Sequence, residues 1–184
     1  MIRQHTLRLW LLLCTMTAAL ILSGCGGGSS GGGNTTDDTA TITGTAAAGA
    51  PVSGFVGARD ASGATLNTNI EPDGSFELDL ATLDTPVLLY ASGIAGGKAY
   101  QLLSVVLDDD VNGTVNITPV TDLIVGNADG RTPQSIFNNP DFTQLTQERV
   151  EAAEENLKTR LKPLLDSLGV EEDFDLRNTA FAAN

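Results

Sequence analysis

The 184-residue chain predicts a mainly β fold: an antiparallel β-sandwich of about seven short strands, followed by a C-terminal α-helical segment. Three observations point there. Between residues 40 and 119, short alternating stretches are cut by turn residues every ten or so positions. Beyond residue 146, apolar residues recur at three- and four-residue spacing, the period of a helix face. Before residue 40, an apolar run gives way to glycine, so the folded region starts well inside the chain.

Taken in order, Thr41-Ile42-Thr43-Gly44-Thr45 alternates and reads as the first strand. Val52 to Arg59 is a second, closed by Asp60-Ala61-Ser62-Gly63; Thr65 to Ile70 is a third, closed by Glu71-Pro72-Asp73-Gly74. Ser75 to Leu80 is the cleanest, with Phe76, Leu78 and Leu80 on one face and Ser75, Glu77 and Asp79 on the other. Pro86 to Ala91 is continuously apolar and suits a strand buried on both faces. Tyr100 to Leu107 and Thr114 to Thr118 flank Asp108 to Gly113, where Asn112-Gly113 signals a hairpin. Residues 129–145 read as a polar loop with Pro133, Pro140 and at most one short turn. A long helix is predicted from Thr146 to Leu168, with Val150, Ala153, Leu157, Leu161, Leu164, Leu165 and Leu168 on one face. Glu154 and Lys158 form a correctly ordered i,i+4 pair and Gly169 is a natural stop. Pro163 removes one hydrogen bond and predicts a kink near Thr159.

The N-terminus carries Arg3 and Arg8 and no acid, and Leu9 to Leu22 is almost wholly apolar. A cationic start, about fourteen apolar residues and a small-residue end make a secretory signal, short for a membrane span. Its end, Leu22-Ser23-Gly24-Cys25, resembles the lipobox of bacterial lipoproteins. That resemblance implies cleavage between Gly24 and Cys25, a diacylglyceryl group on the Cys25 thiol and acylation of the new amino group. Two or three acyl chains anchor a protein stably where one does not. In lipoproteins an aspartate after the cysteine favours the inner membrane; here Gly26 stands there, so the expected location is the outer membrane of a Gram-negative cell. Gly26 to Asp38 is a Gly/Ser-rich tether, with an end-to-end distance of roughly 20 Å.

A second resemblance lies in the strands. Gly44-Thr45, Gly49-Ala50-Pro51-Val52, Asp60-Ala61-Ser62-Gly63 and Asp73-Gly74-Ser75-Phe76 follow one another as in the carboxypeptidase regulatory-like domain, an immunoglobulin/transthyretin-like sandwich. The match covers Thr41 to Gly93 and implies a non-catalytic module that supports other proteins. Asn116 to Ile124 (NITPVTDLI) is similar to a segment of uncharacterised bacterial lipoproteins of the same layout. There the proline ends the last strand and a helix follows, here with Thr121 available as its cap and Asp122 in its first turn. The tail from Glu171 is acidic and ends at Phe181-Ala182-Ala183-Asn184. Longer lipoproteins of this type continue from such a stretch into further β-structure, which makes the chain either a shortened relative or an incomplete frame. The expected organisation is signal 1–24, acylated cysteine and linker 25–39, sandwich 40–119, and helical segment with acidic tail 120–184.

Composition narrows function. Net charge is −13, and −15 once Arg3 and Arg8 leave with the signal, which disfavours nucleic acid as a partner. Processing also removes His5, Trp10 and Cys14. Without histidine or a free thiol, the usual nucleophile–base pairs and zinc sites have no components. Without tryptophan, and with Tyr90 and Tyr100 alone, a stacking platform for sugars is poorly supplied. A carboxylate-only hydrolase needs a marked pair of acids, and none stands out, so no enzyme activity is expected. Asp108, Asp110 and Asn112 with Gly113 fit the opening of a calcium loop. Position twelve is Pro119 and the flanks read as strands, so an acidic turn explains the pattern better than a weak calcium site; no other cofactor is implied. The leucine stripe is read first as core, second as a partner-binding ridge at Leu157, Leu161, Leu164 and Leu168, and last as a membrane-surface helix. The expected role is a lipid-anchored structural, adhesive or protein-interaction module of the envelope. The alternative is a binding module for glycan or peptide.

Overall fold

The computed structural model describes residues 40–171 and 173–183, all within one compact unit. The expectations for Gly24, Cys25 and the linker lie outside the described residues. Within them, six strands form: β1 (Thr41–Thr45), β2 (Ser53–Arg59), β3 (Thr65–Asn69), β4 (Ser75–Asp79), β5 (Val87–Ala95) and β6 (Lys98–Val106). Three helices follow: α1 (Pro119–Asp129), α2 (Pro133–Asn138) and α3 (Gln147–Ser167). The strands make two antiparallel sheets, β1–β4 and β3–β2–β5–β6.

The strand positions follow the alternation in the sequence. In β4, Phe76 and Leu78 are buried and Glu77 and Asp79 exposed. The turn before it closes through Gly74 at φ 88° and a 2.9 Å bond from the Ser75 amide to the Asp73 carboxylate, which delivers Phe76 to the core. β5 is apolar on both faces because both are covered. Its Val87, Leu89 and Ala91 join Ile42, Phe76 and Leu78 of the small sheet in one core. Its Leu88 joins Leu103 and Val105 of β6 in a second core with Ile124, Ile136, Val150 and Leu157 of the helices. The layers are therefore small sheet, large sheet, helices, and the mainly β expectation is corrected to mixed α and β.

The expected seventh strand is not one. Residues 113–117 lie alongside β1 in the parallel sense, touching it through two isolated bridges, Thr43 with Thr114 and Ala46 with Ile117. Gly44 lets the backbones meet: a β-carbon there would fall 2.0 Å from the Val115 carbonyl oxygen. The hairpin expected at Asn112-Gly113 is replaced by a 3₁₀ turn at Asp108–Asp110 and by Asn112 in the left-handed region at φ 65°. The chain crosses to the other sheet there instead of returning beside β6.

The helices also correct the sequence reading. Thr118, not Thr121, caps α1, accepting from the amides of Val120 and Thr121, and Pro119 occupies the first turn. Thr121 turns inward and donates to the Leu103 carbonyl at 2.8 Å, while Asp122 accepts from the Leu103 amide at 2.9 Å. These two side chains satisfy backbone groups on the open edge of β6. The expected polar loop contains α2 and a second 3₁₀ turn, with Ile136 and Leu145 fully buried. α3 matches its expected span, capped by Thr146, and continues through Pro163. It ends in a Schellman arrangement: Gly169 sits at φ 70°, and the Val170 and Gly169 amides donate to Leu165 and Asp166 at 3.0 and 3.2 Å.

Candidate functional site

The acidic turn spends its oxygens on the protein's own donors. Asp110, 4% exposed, accepts from the Leu107 amide at 2.8 Å, from Arg177 Nη1 at 2.9 Å and from Asn178 Nδ2. Asp108 accepts from the Thr85 hydroxyl, Asp109 from Gln147 at 2.7 Å, and Asn112 from the Thr41 amide at 3.1 Å. The three residues named for calcium, Asp108, Asp110 and Asn112, thus turn to three different regions of the fold. Among the described residues, no three acidic, histidine or cysteine side chains gather as a metal-binding group.

Arg177 is the residue that sequence reasoning missed. It is 5% exposed and lies between Asp110 and Glu154, whose Oε2 accepts from its Nε at 3.1 Å. Its Nη1 also reaches the Val105 carbonyl at 3.3 Å, on the same open edge of β6 that Thr121 and Asp122 cover. Glu154 binds the Leu176 amide at 2.8 Å as well, so it serves the tail rather than pairing with Lys158 along its own helix. Burial pushes the Glu154 carboxyl above its ordinary range, and the nearby charge of Asp175 adds to this; the Leu176 and Arg177 contacts act against both. For Arg177, burial disfavours the charge, and the attraction and hydrogen bonds of Asp110 and Glu154 outweigh it, raising its pKa. From this clasp the tail runs back to the small sheet. The Arg177 carbonyl accepts from the Asn116 amide at 2.9 Å, Thr179 from the Asn116 side chain at 2.8 Å, and Phe181 from the Thr45 hydroxyl at 3.0 Å. In sequence, Arg177 is visible only as the lone cation after Lys162.

The leucine stripe divides along α3. Val150, Ala153 and Leu157 are buried in the helix-side core, and Leu161 is half-buried against it. Leu164 and Leu168 are 54% and 68% exposed. Between α1 and α3 runs a groove of about 530 Å³, where Leu123 and Asn127 face Arg149, Asn156, Leu157 and Arg160 over a floor of alanines. Leu123, at its rim, is 53% exposed. Arg149 is fixed there by two bonds to the Ala128 carbonyl, 2.9 and 2.6 Å, capping the C-terminal end of α1 with a cation. Among the described residues no carboxylate lines this groove, in a chain with 23 acids against 10 lysines and arginines.

A second concavity of about 490 Å³ lies between the small sheet and β3. Thr43, Thr68, Asn69, Glu71, Glu77 and Thr114 line it. Comparison with protein-family profiles, curated proteins and solved structures finds no match. Function therefore rests on the residues alone.

Proposed function

We propose that this is a lipid-anchored, non-catalytic envelope protein that holds a partner protein through its helical layer. The observation that carries the reading is the change in α3, from core at Val150, Ala153 and Leu157 to exposed leucine at Leu164 and Leu168. Burying large apolar side chains is the ordinary use of such a stripe, and exposed apolar surface grouped on one element marks an interaction site. Anchoring rests on Leu22-Ser23-Gly24-Cys25, with the outer membrane favoured by Gly26. The carboxypeptidase regulatory-like, transthyretin-like reading of the sheets is supported by Gly49-Ala50-Pro51-Val52 leading into β2 and by the Asp73-Gly74 turn leading into β4. A non-catalytic role fits a buried ionic cluster in which the Asp110 and Glu154 carboxylates and the Arg177 guanidinium are taken up in holding the tail.

The test is a crosslinked pull-down from intact envelopes, comparing wild type with Leu164→Asp/Leu168→Asp. Both side chains are exposed, so the variant should keep its circular dichroism and lose a specific partner. A retained partner would refute the role given to these leucines. A second reading, a glycan or peptide module, is favoured by the concavity beside β1 and β4. Its Thr43, Thr68, Asn69 and Thr114 side chains have no internal hydrogen-bond partner among the described residues and converge on one space, as polar groups in small-ligand sites do.

A further inference from the structure

We propose that the groove between α1 and α3 receives an acidic, leucine-bearing helix of the partner protein. The inference rests on the protein-interaction reading above and names the chemistry of the partner. Shape is the first argument. The groove has a floor of Ala128, Ala152, Ala153 and Leu157 between two helices, and small residues there leave room for the side chains of a third helix. An amphipathic helix laid in such a trough is a recurring mode of peptide recognition.

Charge is the second argument. Successive helix residues turn by about 100°, so Arg149, Asn156, Arg160 and Leu164 share one face of α3 while Glu148, Glu151, Glu155 and Asp166 project elsewhere. Arg160 is exposed at the rim of the groove. Arg149 adds a second positive charge, held in place by its bonds to Ala128. On a chain of net charge −13, this groove sets two arginines and, among the described residues, no lining carboxylate before an acidic ligand. Such a surface selects an acidic partner and fixes its register. Leu123 at one rim and Leu164 beyond the other supply apolar contacts for leucines on the incoming helix.

The test is a fluorescence-anisotropy titration of the full chain in non-ionic detergent. The probes are two labelled amphipathic peptides of roughly 18 residues, five helical turns, with leucines at three- and four-residue spacing. One carries glutamates on its polar face and the other lysines. The acidic peptide should bind about tenfold or more tightly than the lysine peptide at low salt, and the gap should shrink as salt rises to about 500 mM. Arg160→Glu/Leu123→Asp should abolish the preference, Arg160→Lys should keep it, and Lys98→Glu, at the start of β6, should leave it unchanged. If the double variant loses its circular dichroism, Arg160→Glu alone, at an exposed side chain, carries the same comparison. Equal affinity for both peptides, no binding of either, or a preference untouched by Arg160→Glu would overturn the proposal. So would co-sedimentation with phosphatidylglycerol vesicles, lost in the same variant, when neither peptide binds, since the groove would then face a membrane. None of these readouts depends on Cys25 or on the envelope pull-down, so the proposal and the reading beneath it can fail separately.

Discussion

Replacing Arg177 by methionine should be among the most damaging single changes to this fold. Methionine keeps much of the aliphatic length and removes the charge, leaving Asp110 and Glu154 with no cation between them. Side-chain exposure in this cluster is 7% for Arg177, 4% for Asp110 and 14% for Glu154, so water cannot take over the missing contacts. Removing one partner of a buried pair costs about 3–5 kcal/mol. For a domain of this size, about 2–4 °C of melting temperature accompanies each kcal/mol, which sets the expected fall at roughly 10 °C. Urea denaturation followed by circular dichroism would measure the loss, and Arg177→Met/Asp110→Asn would complete a cycle. Because the two side chains share hydrogen bonds, the double variant should lose at least about 1 kcal/mol less than the sum of the singles. Hydrogen exchange should also show the amides of Leu176 and Asn116 opening first. A loss below about 1 kcal/mol for Arg177→Met, or an additive cycle, would refute the clasp as the element that holds the tail.

Other outcomes follow from the packing. Leu157→Ala should cost about 2–5 kcal/mol, whereas Leu164→Ser and Leu168→Ser should stay within about 0.5 kcal/mol of wild type in the same denaturation assay. Gly44→Ala should cost about 3 kcal/mol or leave no folded protein, because the Val115 backbone cannot retreat; thermal unfolding measures it. Acid should weaken the fold through Asp60 and Asp73. Hydrogen bonds from Ser62 and from Ser75 hold their carboxyls below the ordinary 3.8. Their stabilisation is present above that value and disappears as pH falls through the lowered folded values, so Asp60→Asn should flatten the decline in urea midpoint below about pH 4. Glu154, raised by burial, acts with the opposite sign, its contribution weakening as pH rises through its folded value. Cys25→Ala should leave a full-length precursor that takes up no labelled palmitate, and normal labelling would sink the anchor.

Local chemistry made most elements readable. Alternation located β1 and β4 to within a residue, because a half-buried strand writes its two faces into consecutive positions. The stop of α3 was visible as Gly169, which acts on its own backbone neighbours, and its start was placed at Thr146, the residue that caps it. What the sequence hid depends on distant partners. Asn112-Gly113 carries a hairpin signal, yet Asn112 is drawn to the Thr41 amide and the strand that follows is claimed by β1 in the parallel sense. Thr118 and Thr121 are equally good caps by type; only the Leu103 carbonyl, 18 residues away, decides which one turns inward. Asp110 and Glu154 look like surface acids until Arg177 arrives from the tail. The leucine stripe was legible as a stripe, but its division at Leu161 depends on where the helix-side core under α3 ends.

The parallel contact between β1 and residues 113–117 has a mechanical consequence. Four backbone bonds cross it: Thr43 to Gly113, Val115 to Thr43, Ile117 to Thr45 and Ala47 to Ile117, at 2.8 to 3.0 Å. β1 is entered from residue 40, while the partner segment leaves for α1 at its opposite end. A pull between residue 40 and the helices therefore slides the two segments past each other and loads all four bonds together. An antiparallel hairpin pulled from its open end would instead unzip, each bond breaking before the next is loaded. The segment that sequence alone reads as the second arm of a hairpin with β6 is thus lapped along β1, and the joint is strongest when drawn between residue 40 and the helices.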